Sequence, residues 1–254
     1  MLRGLLRNRM PDIRPHAGPA PEQAPAAGGK SGALRAAIFG INDGLVSNLS
    51  LIMGVTGASV DNKIIVIAGV AGLLAGSFSM AGGEYISMRT QREVFERLIH
   101  LEAHELATEP EEEREELIDI YRKRGVPHRV AEQLVDALHS DPDLALETHA
   151  REELGLDPEE GLGSPFGAAL SSLFTFAFGA FVPLLPFLVG SGHAATLASI
   201  LASAATLFAV GALMSIMTGK RSYLSGARML MIGLGLAAIT YGVGRLLHVG
   251  SSGL

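Results

Sequence analysis

Residues 37–54 read AIFGINDGLVSNLSLIMG. The run is long and apolar enough to cross a bilayer as a helix, yet Asp43 sits inside it. A carboxylate at that depth costs about 2.5–3.5 kcal/mol on insertion scales, and ionisable residues so placed usually mark a transport path. Further apolar segments follow outward from this stretch. With residues 34–58 as the first, the others cover 64–88, 166–190, 194–218 and 226–248. Each meets the ~20 residues a helix needs to span ~30 Å of hydrocarbon. The runs are too long and too many, and joined by connectors as short as SGH at 191–193, to be the buried helices of a soluble fold. The expectation is an all-α integral membrane protein with five transmembrane helices in a lipid bilayer.

Charge divides the chain further. Residues 91–163 carry 21 of the 26 acidic residues and 8 of the 20 basic ones. Such an acidic block argues against a nucleic-acid partner and points to cations. The chain therefore reads as a disordered tail at 1–33, two spans within 34–90, an acidic helical insert at 91–163, and three spans within 164–254. The tail is rich in Pro, Ala and Gly and has no apolar period. Its opening MLRGLLRNRM lacks the apolar core of a signal peptide. Cysteine is absent, so disulfides and thiolate metal sites are excluded.

Lysine and arginine in the short flanks set the orientation. Arg3, Arg7, Arg9, Arg14, Lys30, Arg35, Lys220, Arg221 and Arg228 lie on one side, against Lys63 and Arg245 on the other. That bias places the N-terminus and the insert in the cytoplasm and the C-terminus outside. A bacterial plasma membrane is the expected location. Within the insert, the second span is expected to run on through QREVFERLIHLEAHELA. A capping box of Thr108 and Glu111 around Pro110 then opens a helix that stops at Gly125. Another reaches about His139, and Asp141 caps a last one ending at Gly155.

The second span contains GSFSMAGGEYISM at 76–88. Met80 and Glu84 are four residues apart and share a helix face, with Ser77 and Ser87 near the same stripe. Asp43 lies eight residues past Arg35, and Met80 lies nine before Arg89. At ~1.5 Å per residue both sit about 12–14 Å deep, where they could meet. Carboxylate alone favours hard ions, and an added thioether tilts the set towards Fe²⁺, Mn²⁺, Co²⁺ or Zn²⁺. Against this stand ordinary roles: a polar contact of Asp43 with Asn42, Ser47 or Asn48, and gap-filling by Met80. The pairs Gly40/Gly44 and Gly72/Gly76 read as close helix packing within one bundle.

In LEAHELATEPEEEREELIDIY, Glu102 and Glu105 are three apart, as are Glu113 and Glu116. Each pair shares a helix face. Folding the two helices together at Pro110 would gather four carboxylates, whose repulsion a cation relieves; a solvated acidic face is the alternative. Glu109, Glu111, Glu112 and Glu115 read as solvated, and His100 and His104 as surface groups. HLEAH is not the zinc-protease HExxH, and no Glu-x-x-His di-iron pattern is present.

On NDGLVSN, GSFSMAGGEYIS, the paired glutamates and EELGL at 152–156, the sequence resembles the vacuolar iron transporter family of plants, fungi and prokaryotes over about residues 34–250. The resemblance implies a homodimer whose insert binds metal, with Fe²⁺ or Mn²⁺ leaving the cytoplasm in exchange for protons. It puts Asp43, Met80 and Glu84 on the translocation path. It makes Glu102, Glu105, Glu113, Glu116 and Glu153 cytoplasmic ligands. His149 stands where plant members carry methionine, which bears on selectivity and pH response. The function expected is proton-coupled export of Fe²⁺ and Mn²⁺, with no resident cofactor. A membrane-anchored metal sensor or buffer, or a divalent-cation channel, is the alternative. An enzyme is not expected, because the spans hold no nucleophile–base set.

Overall fold

A computed structural model of the chain describes residues 29–59, 61–156, 163–219 and 221–251. Most of the expected tail, residues 1–28, lies outside the described residues, as do all four of its arginines. Among the described residues every regular element is a helix: α1 (Gly29–Ala58), α2 (Asn62–Thr108), α3 (Pro110–Lys123), α4 (His128–Leu138), α5 (Pro142–Glu152), α6 (Pro165–Val189), α7 (Gly192–Thr218) and α8 (Ser222–Ser251). Helix α1 begins at Gly29, inside the stretch 1–33 expected to be a tail. Five helices are long and apolar enough to cross a membrane: Ala37–Ala58, part of Asn62–Thr108, Pro165–Val189, Gly192–Ser215 and Ser222–Leu247. The protein is a multi-pass membrane protein. Helix α2 has 47 residues, about 70 Å at the α-helical rise, so only part of it fits within the hydrocarbon.

The chain forms two compact units: Lys30–Met88 with Ser164–Leu254, and Arg89–Gly163. In the first, Leu45, Leu49 and Ile52 of α1 are buried with Leu184 and Phe187 of α6 and Leu207 of α7. Outward-facing Phe166, Phe174, Phe178 and Leu185 remain exposed, as suits a surface solvated by lipid. Helices α1 and α6 meet backbone to backbone. A Cβ on Gly44 would strike the Phe176 carbonyl, and one on Gly179 would strike that of Ile41. Gly40 likewise faces Thr175 of α6, so this GxxxG pair serves packing within the chain. Gly44→Ala should therefore destabilise the bundle by ~1–3 kcal/mol. Gly82→Ala, which meets open space, should not. Thermal unfolding of the two variants in detergent checks the contrast.

Helix α6 keeps Pro183 and Pro186 in its interior. Each proline lacks a backbone donor and disturbs the turn before it. Side chains from neighbouring helices take the carbonyls three residues upstream. Asn48 Nδ2 of α1 donates to the Ala180 carbonyl at 2.7 Å, and Ser199 Oγ of α7 donates to the Pro183 carbonyl at 2.7 Å. The carbonyls that lose their helical donor are the next ones back, Gly179 and Val182, so these side-chain bonds brace the turns beside the breaks.

In the second unit, Leu117 and Ile118 of α3 pack on Ala131 and Val135 of α4. Ile99 of α2 packs on Leu146 and Ala150 of α5. Arg114 of α3 pairs with Asp136 of α4 at 2.7 Å, and Arg124 pairs with Glu152 of α5. Asp141 caps α5 by accepting from the Asp143 N–H at 3.0 Å. The chain leaves α5 where Gly155 takes a φ of +65°, and Leu156 N–H closes on the Ala150 carbonyl at 2.8 Å. The expected capping box is absent. Thr108 still belongs to α2, so its hydroxyl donates back to the His104 carbonyl at 2.9 Å. Glu109 occupies the cap of α3 without a side-chain bond, and Pro110 starts the helix.

Candidate metal centre and spanning cleft

His149 is the hub of the insert's polar centre. Packing of Leu146 and Ala150 against α2 turns it inward, and its side chain is 0% exposed. Nδ1 lies 3.0 Å from Glu102 Oε1, 3.3 Å from Glu153 Oε2 and 3.4 Å from Glu113 Oε2. Glu102 comes from α2, Glu113 from the first turn of α3, and Glu153 from the C-cap of α5, one turn after His149. The Gly155 turn ends the helix just beyond that carboxylate. One donor atom from each of the four residues lies within 4.8 Å of all the others.

Two ligands of one transition ion at ~2.1 Å stand at most about 4.2 Å apart, so a small contraction closes this set around a cation. Glu102 and Glu113 are both buried, and Glu102 Oε1 accepts no aligned hydrogen bond. A buried acceptor without a donor is costly, and a cation satisfies it.

The electrostatics are those of a crowded acid cluster. Burial pushes the Glu113 carboxyl up to about 8, helped by the charges of Glu102 and Glu153. Burial by itself would lower His149, but the ion pair with Glu102, the hydrogen bond with Glu153 and the charge of Glu113 lift it to about 9. Glu105 and Glu116 are raised too, by burial first and then by neighbours that include Glu102 and Glu153. These two sit at the margin of the cluster, and Glu116 is exposed. Glu109, Glu111, Glu112 and Glu115 are exposed, as are His100 and His104. Behind the hub, His139 Nε2 lies 3.1 Å from His149 Nε2. The sequence reading ended a helix at His139 and gave that residue no role.

In the membrane-spanning unit, Asp43, Ser47 and Asn48 of α1 face Gly72, Gly76, Ser79 and Met80 of α2 across a cleft of ≈ 440 Å³, with Phe176 at one wall. Asp43 and Met80, named from sequence, line the same space. Glu84 and Ser87 are not among the lining residues. Ser77 is buried away from the cleft and donates to the Leu73 carbonyl at 2.6 Å, while Ser79 takes the expected place. At 100° per residue, positions 72, 76, 79 and 80 make the stripe that faces α1. Asn48 is 2% exposed, and its Oδ1 has no hydrogen-bond partner. Asp43 is exposed in the single chain.

A family model described as the VIT family matches residues 34–245. The chain belongs to the VIT family. Vacuolar iron transporter 1 of Oryza sativa subsp. japonica is 31% identical over 217 residues, covering 84% of each chain. Vacuolar iron transporter 1 of Arabidopsis thaliana is 31% identical over 204 residues, 79% of this chain and 80% of its own. The Vacuolar iron transporter of Acanthamoeba castellanii is 34% identical over 223 residues, 86% of this chain and 80% of its own. The matched stretch of the VIT family model takes in both the cleft residues and the His149 cluster.

Proposed function

We propose that this protein transports Fe²⁺ and Mn²⁺ out of the cytoplasm in exchange for protons. The observation that carries this reading is the pairing of Asp43 with Met80 on one cleft of an otherwise apolar bundle. A carboxylate and a thioether together suit a divalent transition ion, and the names of the relatives point to iron. The Lys and Arg bias of the flanks supports a cytoplasmic insert. On this reading Glu102, Glu113, His149 and Glu153 hold cytoplasmic metal, with Glu105 and Glu116 adding charge at the margin. Co²⁺ and Zn²⁺ suit the same donors. Glu84, on the same face of α2 as Met80, is the next carboxylate along that face.

Protons and metal compete for these groups, because ligands must be deprotonated to bind. That competition is the physical basis for exchange. The exposed Asp43 also supports a homodimer. In hydrocarbon an uncovered carboxylate is expensive, and a second copy of the chain would shield it.

The test is Fe²⁺ and Mn²⁺ entry into dye-loaded liposomes carrying the full-length protein, with and without a pH gradient. Gradient-dependent uptake is the expected result. Uptake indifferent to the gradient would identify a channel. Metal binding without any uptake would identify a membrane-anchored sensor or buffer.

A further inference from the structure

We infer that His139 is a positioning residue for the metal centre, holding His149 so that Nδ1 is the nitrogen presented to the ion. The inference rests on the reading of Glu102, Glu113, His149 and Glu153 as a cation site. A neutral imidazole has one lone pair, and the hydrogen bond made by its other nitrogen decides which atom carries it. The Nε2 atoms of His139 and His149 are 3.1 Å apart, so one donates and the other accepts. If His149 accepts, its proton sits on Nδ1 and points at the three carboxylates, where it blocks a cation. If His149 donates, Nδ1 is free to ligate. His139 as acceptor selects the second arrangement.

His139 is well placed for that task. The rings are tilted by 51° with centroids 5.3 Å apart, a geometry of edge contact rather than stacking. His139 caps α4 through its own N–H, which donates to the Val135 carbonyl at 2.8 Å. Val135 is buried against Leu117 and Ile118 of α3, so the acceptor stands on a packed platform. His149 is fully buried and sits on a different helix, so two packed elements fix the separation of the nitrogens. Partners of this kind orient metal-bound histidines, and their loss typically costs 10–100-fold in affinity.

The experiment titrates Co²⁺ into full-length protein in nanodiscs, in an Asp43→Ala background that silences the spanning cleft. Affinity and the Co²⁺ visible absorption bands are both read. His149→Ala should lose the site, which assigns the signal to the centre. His139→Phe should then weaken Co²⁺ binding by roughly 10–100-fold and shift the bands. His139→Gln, whose side-chain oxygen accepts from Nε2–H, should restore both. Wild-type affinity and bands in His139→Phe would overturn the positioning role while leaving the centre standing. Equal losses in His139→Phe and His139→Gln would assign His139 to packing and overturn it too. Unchanged binding in His149→Ala would instead remove the centre on which the inference rests.

Discussion

Asp43→Ala should reduce Fe²⁺ uptake into liposomes to the protein-free background. The cleft offers a dehydrating ion one carboxylate, and the rest of its lining is hydroxyl, amide, thioether and apolar surface. Neutral donors alone do not balance a divalent charge in hydrocarbon. Loss of mere outer partners of metal ligands costs 10–100-fold, so loss of the charged ligand itself should exceed about 100-fold. Asp43→Asn should fail nearly as badly, because it keeps the shape and an oxygen but removes the charge. Intact folding is checked by elution profile and by Co²⁺ binding at the His149 centre, which both variants should retain if that centre holds metal as proposed. Uptake in Asp43→Asn at half the wild-type rate or better would remove charge neutralisation as the reason for the residue.

The metal-free insert should lose stability as pH rises, and a divalent cation should reverse that trend. His149 holds its proton up to about 9 in the folded protein, against an ordinary value of 6.5. Glu113 holds its proton to about 8, against 4.5, and Glu105 and Glu116 are shifted the same way. Between these limits the folded state binds more protons than the unfolded state, so the unfolding free energy falls as pH increases. Each such proton changes the folding equilibrium about tenfold per pH unit. The stabilising contribution of His149 is complete below its unfolded pKa and gone above about 9.

On the proposed reading metal takes the place of those protons, so its affinity should rise over the same interval. Hydrogen exchange of α3 and α5 in the nanodisc-embedded protein, at pH 6.5 and 8.5 with and without Mn²⁺, reads both effects. Protection that rises with pH in the metal-free protein would refute the assignment of protons to this cluster.

Much of the architecture is legible from sequence because it depends on local pattern. Apolar runs of about 20 residues identify the spans without reference to tertiary contacts. Asp141 and Gly155 mark the ends of α5, since capping and left-handed turns are short-range chemistry. Asp43 and Met80 could be paired because two depths, each counted from a nearby arginine, agree.

The failures have equally specific causes. Thr108 has the spacing of a cap, but the sequence does not say that α2 persists to that residue, where a hydroxyl finds its own helix first. Ser77 lies about 60° from Met80 around the helix but on the side away from the cleft, whose stripe centres on Gly72, Gly76 and Ser79 with Met80 at its edge. The glutamate pairs divide for the same reason. Glu102 and Glu113 point at His149, while their partners Glu105 and Glu116 are turned to the edge. His149 itself lies 47 residues from Glu102, and no local spacing joins them. Only the family resemblance singled it out, and His139 behind it had no signal at all.

The carbonyls upstream of the two α6 prolines have a consequence for motion. In an unbroken helix, bending stretches backbone hydrogen bonds that nothing else replaces. Pro183 and Pro186 leave the carbonyls four residues before them, at Gly179 and Val182, without a helical donor. Asn48 and Ser199, groups on other helices, donate to the carbonyls next in line, at Ala180 and Pro183. Side-chain bonds of this kind within membranes are worth about 0.6 kcal/mol on average, comparable to thermal energy. Helix α6 is thus compliant at one place along its length, and the compliance is gated from outside the helix. One of the two gating residues, Asn48, also lines the cleft that holds Asp43 and Met80. An ion that engaged the Asn48 amide would therefore draw on one of the two outside contacts of α6, joining occupancy of the cleft to flexure of the bundle through a single side chain.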